Sequence, residues 1–235
     1  MIKPDAIKKL EIQFETIGKN IECLHSHGEA ITIAKAILEE TATGPVVECG
    51  CFQGGMTCKL SIACKIAGKE LHIYDTFQGL PDSETARCFK SKEHKDGKHG
   101  VKKWVKGSMS GSLEDVIKNV GKHGEISVCK FFPGKVQETL PKITSNPSTV
   151  FIDVDLRDAA RTCIKYLWPR LEGKYFFTHE MWFKDYVEAI TNRKWWLENV
   201  GEAPPELVGA ETGINERADD LGYFLKIPKP ANSHP

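Results

Sequence analysis

The chain has 235 residues, enough to bury one sizeable core, and no Pro, Gly or Ser-rich linker divides it into independent halves. Its 32 basic and 32 acidic residues cancel, which excludes a net-charge attraction to nucleic acid or to a membrane surface and points to a small-molecule partner. The opening MIKPDAIKKLEIQF is charged where a secretory signal would be apolar, no run is long enough to span a membrane, and the eight cysteines lack zinc-knuckle spacing, so a cytoplasmic protein with reduced core thiols is expected.

Ala6, Leu10, Phe14, Ile17 and Ile21 recur at helical spacing and predict an amphipathic first helix, either packed on the core or forming a dimer surface. Ser26 to Glu29 has the form of a capping box, so a second helix should start near His27 and end before Gly44, with His25 and His27 as cap and loop residues. These two helices are expected to occupy residues 1–44, ahead of a cofactor-binding domain over 45–228 and a disordered tail over 229–235.

The domain is organised around VVECGCFQGG, Val46 to Gly55. This is an apolar strand carrying Glu48, then a tight turn through Gly50 and the Gly54–Gly55 pair into a helix. Only glycine lets a backbone pass a cofactor without a Cβ clash, and a helix opening there aims free N–H groups at the ligand. Asp75, ending the next strand LHIYD, stands where an acid takes both hydroxyls of a ribose. Glu48 beside the turn would repel a pyrophosphate but suits the ammonium and sulfonium charges of S-adenosyl-L-methionine.

Farther on, Arg87 to Lys106 holds eight Lys or Arg against two acids, a solvated insertion or a basic lid over an anionic substrate. Ser112 with Asp115 can cap a helix through LEDVIKNV, and ISVCKFF, STVFID and KYFFTHE are further strands separated by helical segments. Met181 to Trp196 is helical in composition, with Phe183, Trp195 and Trp196 as pocket-wall or core residues. The stretch from APPELVGA to ERADD should wrap the pocket mouth. ELVGA and LGYFLKI can form an antiparallel edge, so an α/β fold with a mostly parallel seven-stranded sheet is expected.

The carboxyl ends of these strands carry Glu48, Asp75, Asp153, His179 and Glu180, where open α/β sheets bind ligands. Asp153, His179 and Glu180 make a plausible ligand set for one divalent cation, with Asp155 either joining them or capping the next helix. A metal on Asp153 would lower an acceptor hydroxyl's pKa; alternatively His179 acts as general base without metal.

VVECGCFQGG, LHIYDTFQGLPDSE and FIDVDLRDAARTCIKYLWPRLEGKYFFTHE together resemble the macrocin O-methyltransferase family, over roughly residues 26 to 225. The resemblance implies a Rossmann-like, S-adenosylmethionine-dependent methyltransferase acting with magnesium on sugar or phenol hydroxyls of natural products. It places Glu48, Gly50, Gly54, Gly55 and Asp75 on the cofactor and Asp153 on the metal, with Asp153 and His179 as catalytic candidates. The chain departs from the family at His179–Glu180, where better-known members carry two aspartates, and at Val154 and Arg157, where they carry Gly and Tyr. A nitrogen donor weakens the case for magnesium and leaves room for manganese, iron, zinc or no metal. A homodimer acting on a small hydroxylated metabolite is expected. A nicotinamide-dependent oxidoreductase and a non-catalytic S-adenosylmethionine-binding protein are the alternatives.

Overall fold

Short apolar runs covered on both faces set the centre of the molecule. The computed structural model describes residues 4–81, 89–90, 101–102, 106–181, 183–209 and 220–227. Its strands are β1 (Val46–Cys49), β2 (Leu71–Asp75), β3 (Phe89–Lys90), β4 (Val101–Lys102), β5 (Cys129–Pro133), β6 (Thr149–Ile152), β7 (Tyr175–Thr178), β8 (Leu207–Gly209) and β9 (Gly222–Leu225). Seven of them form one sheet in the order β5-β2-β1-β6-β7-β9-β8, parallel from β5 to β7 and antiparallel at β9 and β8; β3 and β4 form a separate antiparallel ladder. This is the expected mixed sheet. The third large strand is shorter than ISVCKFF suggests, because Ile126–Val128 winds into a 3-10 turn before Cys129.

The helices are α1 (Pro4–Asn20), α2 (His27–Glu39), α3 (Gly55–Ala67), α4 (Leu113–His123), α5 (Val136–Thr139), α6 (Arg157–Leu167), α7 (Lys184–Ile190) and α8 (Arg193–Asn199). Leu10, Phe14, Ile17 and Ile21 are buried with residues of α2 and α3 and with Val46, Leu71, Ile73, Phe151 and Phe177 on one sheet face. The apolar stripe of α1 is therefore spent within the chain, although it opens at Ile7, Ala6 being exposed. Val47, Val150, Ile152, Phe176 and Phe224 line the opposite face under α5 to α8.

The capping box of α2 forms as expected: Glu29 N donates to Ser26 Oγ at 3.2 Å and Ser26 N donates to Glu29 Oε2 at 2.6 Å. The helical run after Met181 splits in two, because the Asn192 side chain accepts from Trp195 N at 2.9 Å and starts α8 afresh. Phe183 and Trp196 are core residues. No described helix is long and apolar enough to cross a membrane. Apart from β3, β4 and Lys106, the basic segment lies outside the described residues, as do 210–219 of the stretch expected at the pocket mouth and the tail from 228.

Chain order along the sheet reverses between β1 and β6, the crevice where such folds bind ligands. Next to it is one polar exception to the apolar core. Glu48 shares a face with Val46, is fully buried, and neither of its carboxyl oxygens has a hydrogen-bond partner. Burial pushes its carboxyl up from 4.5 to about 8.

Two stability tests follow from this packing. Phe14→Ala should cost about 3–5 kcal/mol in a single denaturant transition; a loss under 1 kcal/mol would mean that α1 is not part of the cooperative core. Folded Glu48 holds its proton up to about pH 8 whereas the unfolded chain releases it near 4.5, so rising pH favours unfolding across that window. Glu48→Gln should remove this slope, gaining about 3 kcal/mol on wild type between pH 5 and pH 8. Parallel pH profiles of the two proteins would refute it.

Candidate active site

The β1–α3 turn forms one wall of a cavity of 470 Å³. Gly50 sits at φ +86°, and a Cβ there would lie 1.8 Å from the Asp153 carbonyl oxygen, so the turn and the end of β6 touch backbone to backbone. Gly54, at φ +85°, is the left-handed residue that opens α3, and a Cβ on Gly55 would press on Cys23. Asp75 ties β2 to this turn: its Oδ2 accepts from Cys51 N at 2.7 Å and its Oδ1 from Phe77 N at 2.8 Å. Gly50, Gly55 and Asp75 line the cavity. Glu48 and Gly54 do not, Glu48 because strand alternation turns it toward the α2–α3 face and Gly54 because it packs toward Val116 of α4.

Asp153 stands across the cavity from Asp75. Backbone bonds from Asp153 N to Cys49 O (2.8 Å) and from His179 N to Ile152 O (3.0 Å) continue the parallel pairing past the strand ends and set the two side chains together. Asp153 Oδ1 is 3.4 Å from His179 Nδ1, and Oδ2 is 3.0 Å from His25 Nε2. The two imidazoles meet edge to face with centroids 4.7 Å apart. His179 is ringed by further carboxylates, Glu29 at 3.4 Å, Glu180 at 3.8 Å and Asp220 at 4.0 Å. Asp155 and Glu180 hold left-handed backbones, φ 56° and 68°. His25 and Asp153 line the cavity; His179 and Glu180 are buried behind them.

Burial opposes charge on all of these groups, and their mutual contacts reverse it. The Asp153 carboxyl would be raised by burial, but His179 and His25 hold it well below the usual carboxylate range. Burial disfavours the His25 cation, yet Asp153 and Cys23 bring it up to about 9, and His179 is raised by Asp153, Glu180 and Glu29. Burial would likewise raise the Cys23 thiol, which His25 and Lys59 pull down to about 7. Lys59 Nζ lies 3.3 Å from that sulfur.

The expected metal set Asp153, His179 and Glu180 separates into two groups sharing Asp153: His25, Asp153 and His179, and Asp153, Asp155 and Glu180. Each brings three donor atoms within 4.8 Å of one another. The chemistry of both sets fits a divalent cation, and the unpaired buried nitrogens His25 Nε2 and His179 Nδ1 fit it further. His25 had been expected to be only a loop residue. It joins the site because the link from α1 to α2 lies over the ends of β1 and β6, where its ring also meets Phe151. Glu29 had been expected only as half of a helix cap.

The family model for macrocin-O-methyltransferase (TylF) matches residues 27–194, the stretch from the start of α2 into α8. No curated protein sequence matches the chain significantly. Among solved structures, the O-methyltransferase NovP is similar with a TM-score of 0.62 at 19% identity, over 84% of this chain and 81% of that one. The calicheamicin methyltransferase CalS11 is similar with a TM-score of 0.57 at 13% identity (96% and 94% covered). The S-adenosylhomocysteine-bound methyltransferase PaMTH1 of Podospora anserina is similar with 0.55 at 12% (96% and 89%). At these identities the structures show a shared Rossmann-like fold. With the family model spanning most of the domain, the chain belongs to the macrocin-O-methyltransferase (TylF) family of S-adenosylmethionine-dependent methyltransferases.

Proposed function

We infer that the protein transfers a methyl group from S-adenosylmethionine to a hydroxyl of a small sugar-like or phenolic metabolite, aligned by Asp153. The observation that carries this is one cavity with the glycine turn and Asp75 on one side and Asp153 on the other. On this reading Gly50, Gly55 and Asp75 hold the cofactor directly, while Gly54 and Glu48 support the turn from behind. Asp75 Oδ2 accepts one backbone N–H and keeps a lone pair for a ribose hydroxyl, while Oδ1 accepts from Phe77 N and, at 3.5 Å, from the Thr76 hydroxyl, which a ribose hydroxyl can displace. The open N-terminus of α3, which has no side-chain cap, favours a carboxylate.

Methyl transfer from a sulfonium is an in-line displacement, so the chain must orient the acceptor oxygen and receive its proton. Asp153 lines the cavity opposite Asp75, next to Asp155 and Asp158, and is the one flanked by two imidazoles, His25 and His179. With its pKa held down, it orients well and is a weak base. A divalent cation bound at Asp153 would supply the missing acidity by lowering the hydroxyl's pKa. His179 acts from behind Asp153, as a positioning residue. Leu80, Met109, Val136, Val154 and Leu156 give the cavity an apolar wall suited to the body of a ring, with Lys135 at its edge.

Asp153→Asn should lower turnover about 10²–10⁴-fold while S-adenosylhomocysteine affinity in a calorimeter stays within about threefold. Retained turnover across phenolic and sugar hydroxyl acceptors, scored by transfer of labelled methyl, would sink the assignment of Asp153. Gly50→Ala should abolish S-adenosylhomocysteine binding, because the added methyl meets the Asp153 carbonyl. Normal binding by that variant would place the cofactor elsewhere.

A further inference from the structure

We propose that His25, Asp153 and His179 form a two-histidine, one-carboxylate site for a borderline first-row transition ion such as zinc, cobalt(II) or iron(II), in preference to magnesium. His25 is supplied by the link ahead of α2, outside the strand-end motifs. This deepens the function proposed above and rests on it for its consequence in catalysis.

Three observations carry it. The first is orientation. His25 Nε2 and His179 Nδ1, the two ring nitrogens facing Asp153, are buried without a hydrogen-bond partner although they lie 3.0 and 3.4 Å from its oxygens. At those distances an N–H aimed at the carboxylate would bond; these nitrogens instead face a point beside it, where a divalent ion displacing their protons would be shared with the carboxylate. The second is spacing. Donors about 2.1 Å from one ion lie about 3.0 to 3.4 Å apart; His25 Nε2 is 3.0 Å from Asp153 Oδ2, His179 Nδ1 is 3.4 Å from Asp153 Oδ1, and one donor atom from each of the three residues falls within 4.8 Å of the others.

The third is the outer layer. A metal-bound imidazole almost always gives its other N–H to a carboxylate, a backbone carbonyl or a water, which fixes the tautomer. His179 Nε2 faces the buried Glu29 carboxylate at 3.4 Å, and Glu29 is itself held by Ser26 N and by Asp220 N. His25 Nδ1 faces Cys23 Sγ at 3.7 Å, with Lys59 Nζ on the same sulfur. Both rings thus have an outer partner for one nitrogen, leaving the inner one to bind. Imidazole donors favour zinc, iron and cobalt, whereas magnesium demands oxygen.

The test uses the full chain, stripped with chelator and then titrated separately with Co²⁺, Zn²⁺ and Mg²⁺ in the absence of cofactor, by calorimetry and by the visible absorption of cobalt. One Co²⁺ or Zn²⁺ per chain should bind at least about 100-fold more tightly than Mg²⁺. His25→Ala should weaken Co²⁺ binding about 100-fold and alter its spectrum. Asp155→Asn, which alters the all-oxygen group and not the two-histidine one, should shift it less than threefold.

Should His25→Ala fail to fold, X-ray absorption at the zinc edge of the wild type decides, since two imidazoles are expected in its coordination shell. Equal affinity for Mg²⁺, an all-oxygen shell, or unchanged Co²⁺ binding in folded His25→Ala would each overturn the proposal. A separate titration with S-adenosylhomocysteine tells the two failures apart. Cofactor binding without the metal preference removes this site alone, and metal binding without cofactor binding removes the methyl-transfer assignment.

Discussion

The contact of Asp153 with two imidazoles is the interaction on which the site depends. Four carboxylates, those of Glu29, Asp153, Glu180 and Asp220, lie within 4.0 Å of His179, and a second imidazole, His25, closes the other side of Asp153. Taking such groups out of water costs several kcal/mol per charge unless each finds a counter-charge. Left-handed backbones at Asp155 and Glu180 add about 1–3 kcal/mol each. A core of hydrocarbon would be more stable, so this arrangement is retained for what it binds or does.

The N-terminal helices belong to that arrangement. Glu29 closes the capping box of α2, faces His179 and accepts from the Asp220 backbone with the same carboxylate. One side chain thereby links the start of a helix, the end of β7 and the approach to β9. The link that caps α2 also delivers Cys23 and His25 to the cavity wall. Burial of Leu10, Phe14, Ile17 and Ile21 against α2 and α3 is what keeps this link in place, so packing energy far from the cavity sets the distance between His25 and Asp153.

Much of this was legible because it is local. The parallel strands are apolar runs covered on both faces, the glycine turn and Asp75 follow from spacing within one βαβ unit, and the capping box at Ser26 and the N-cap at Ser112 announce their helices. His25 was not legible. It lies in a short link, carries no periodic mark, and meets Asp153 only through packing between segments distant in the chain. A partial signal did exist: Glu48, Asp153 and His179 stand two residues after Val46, Phe151 and Phe177, and period two puts all three on the face that α2 covers. Glu48 stays out of the cavity because it lies within β1, whereas Asp153 stands one residue past the end of β6. The break between α7 and α8 was missed because hydrophobic composition outweighed the cap at Asn192.

The departure at His179 and the presence of His25 make sense together. Three carboxylates around a divalent ion carry more negative charge than the ion can balance, and they leave little field for an acceptor oxygen. Two neutral imidazoles and one carboxylate leave a net positive charge, enough to favour an alkoxide at the position Asp153 faces. Glu29 stands behind His179 on its Nε2 side at 3.4 Å, while Glu180 lies 3.8 Å from its Nδ1. Replacing an aspartate by histidine at 179 without His25 would give a lone nitrogen donor among acids. With His25 the two rings bracket Asp153 from both sides, and the link that supplies His25 runs directly into the helix that supplies Glu29, so the docking of α2 brings both to the strand end that carries Asp153.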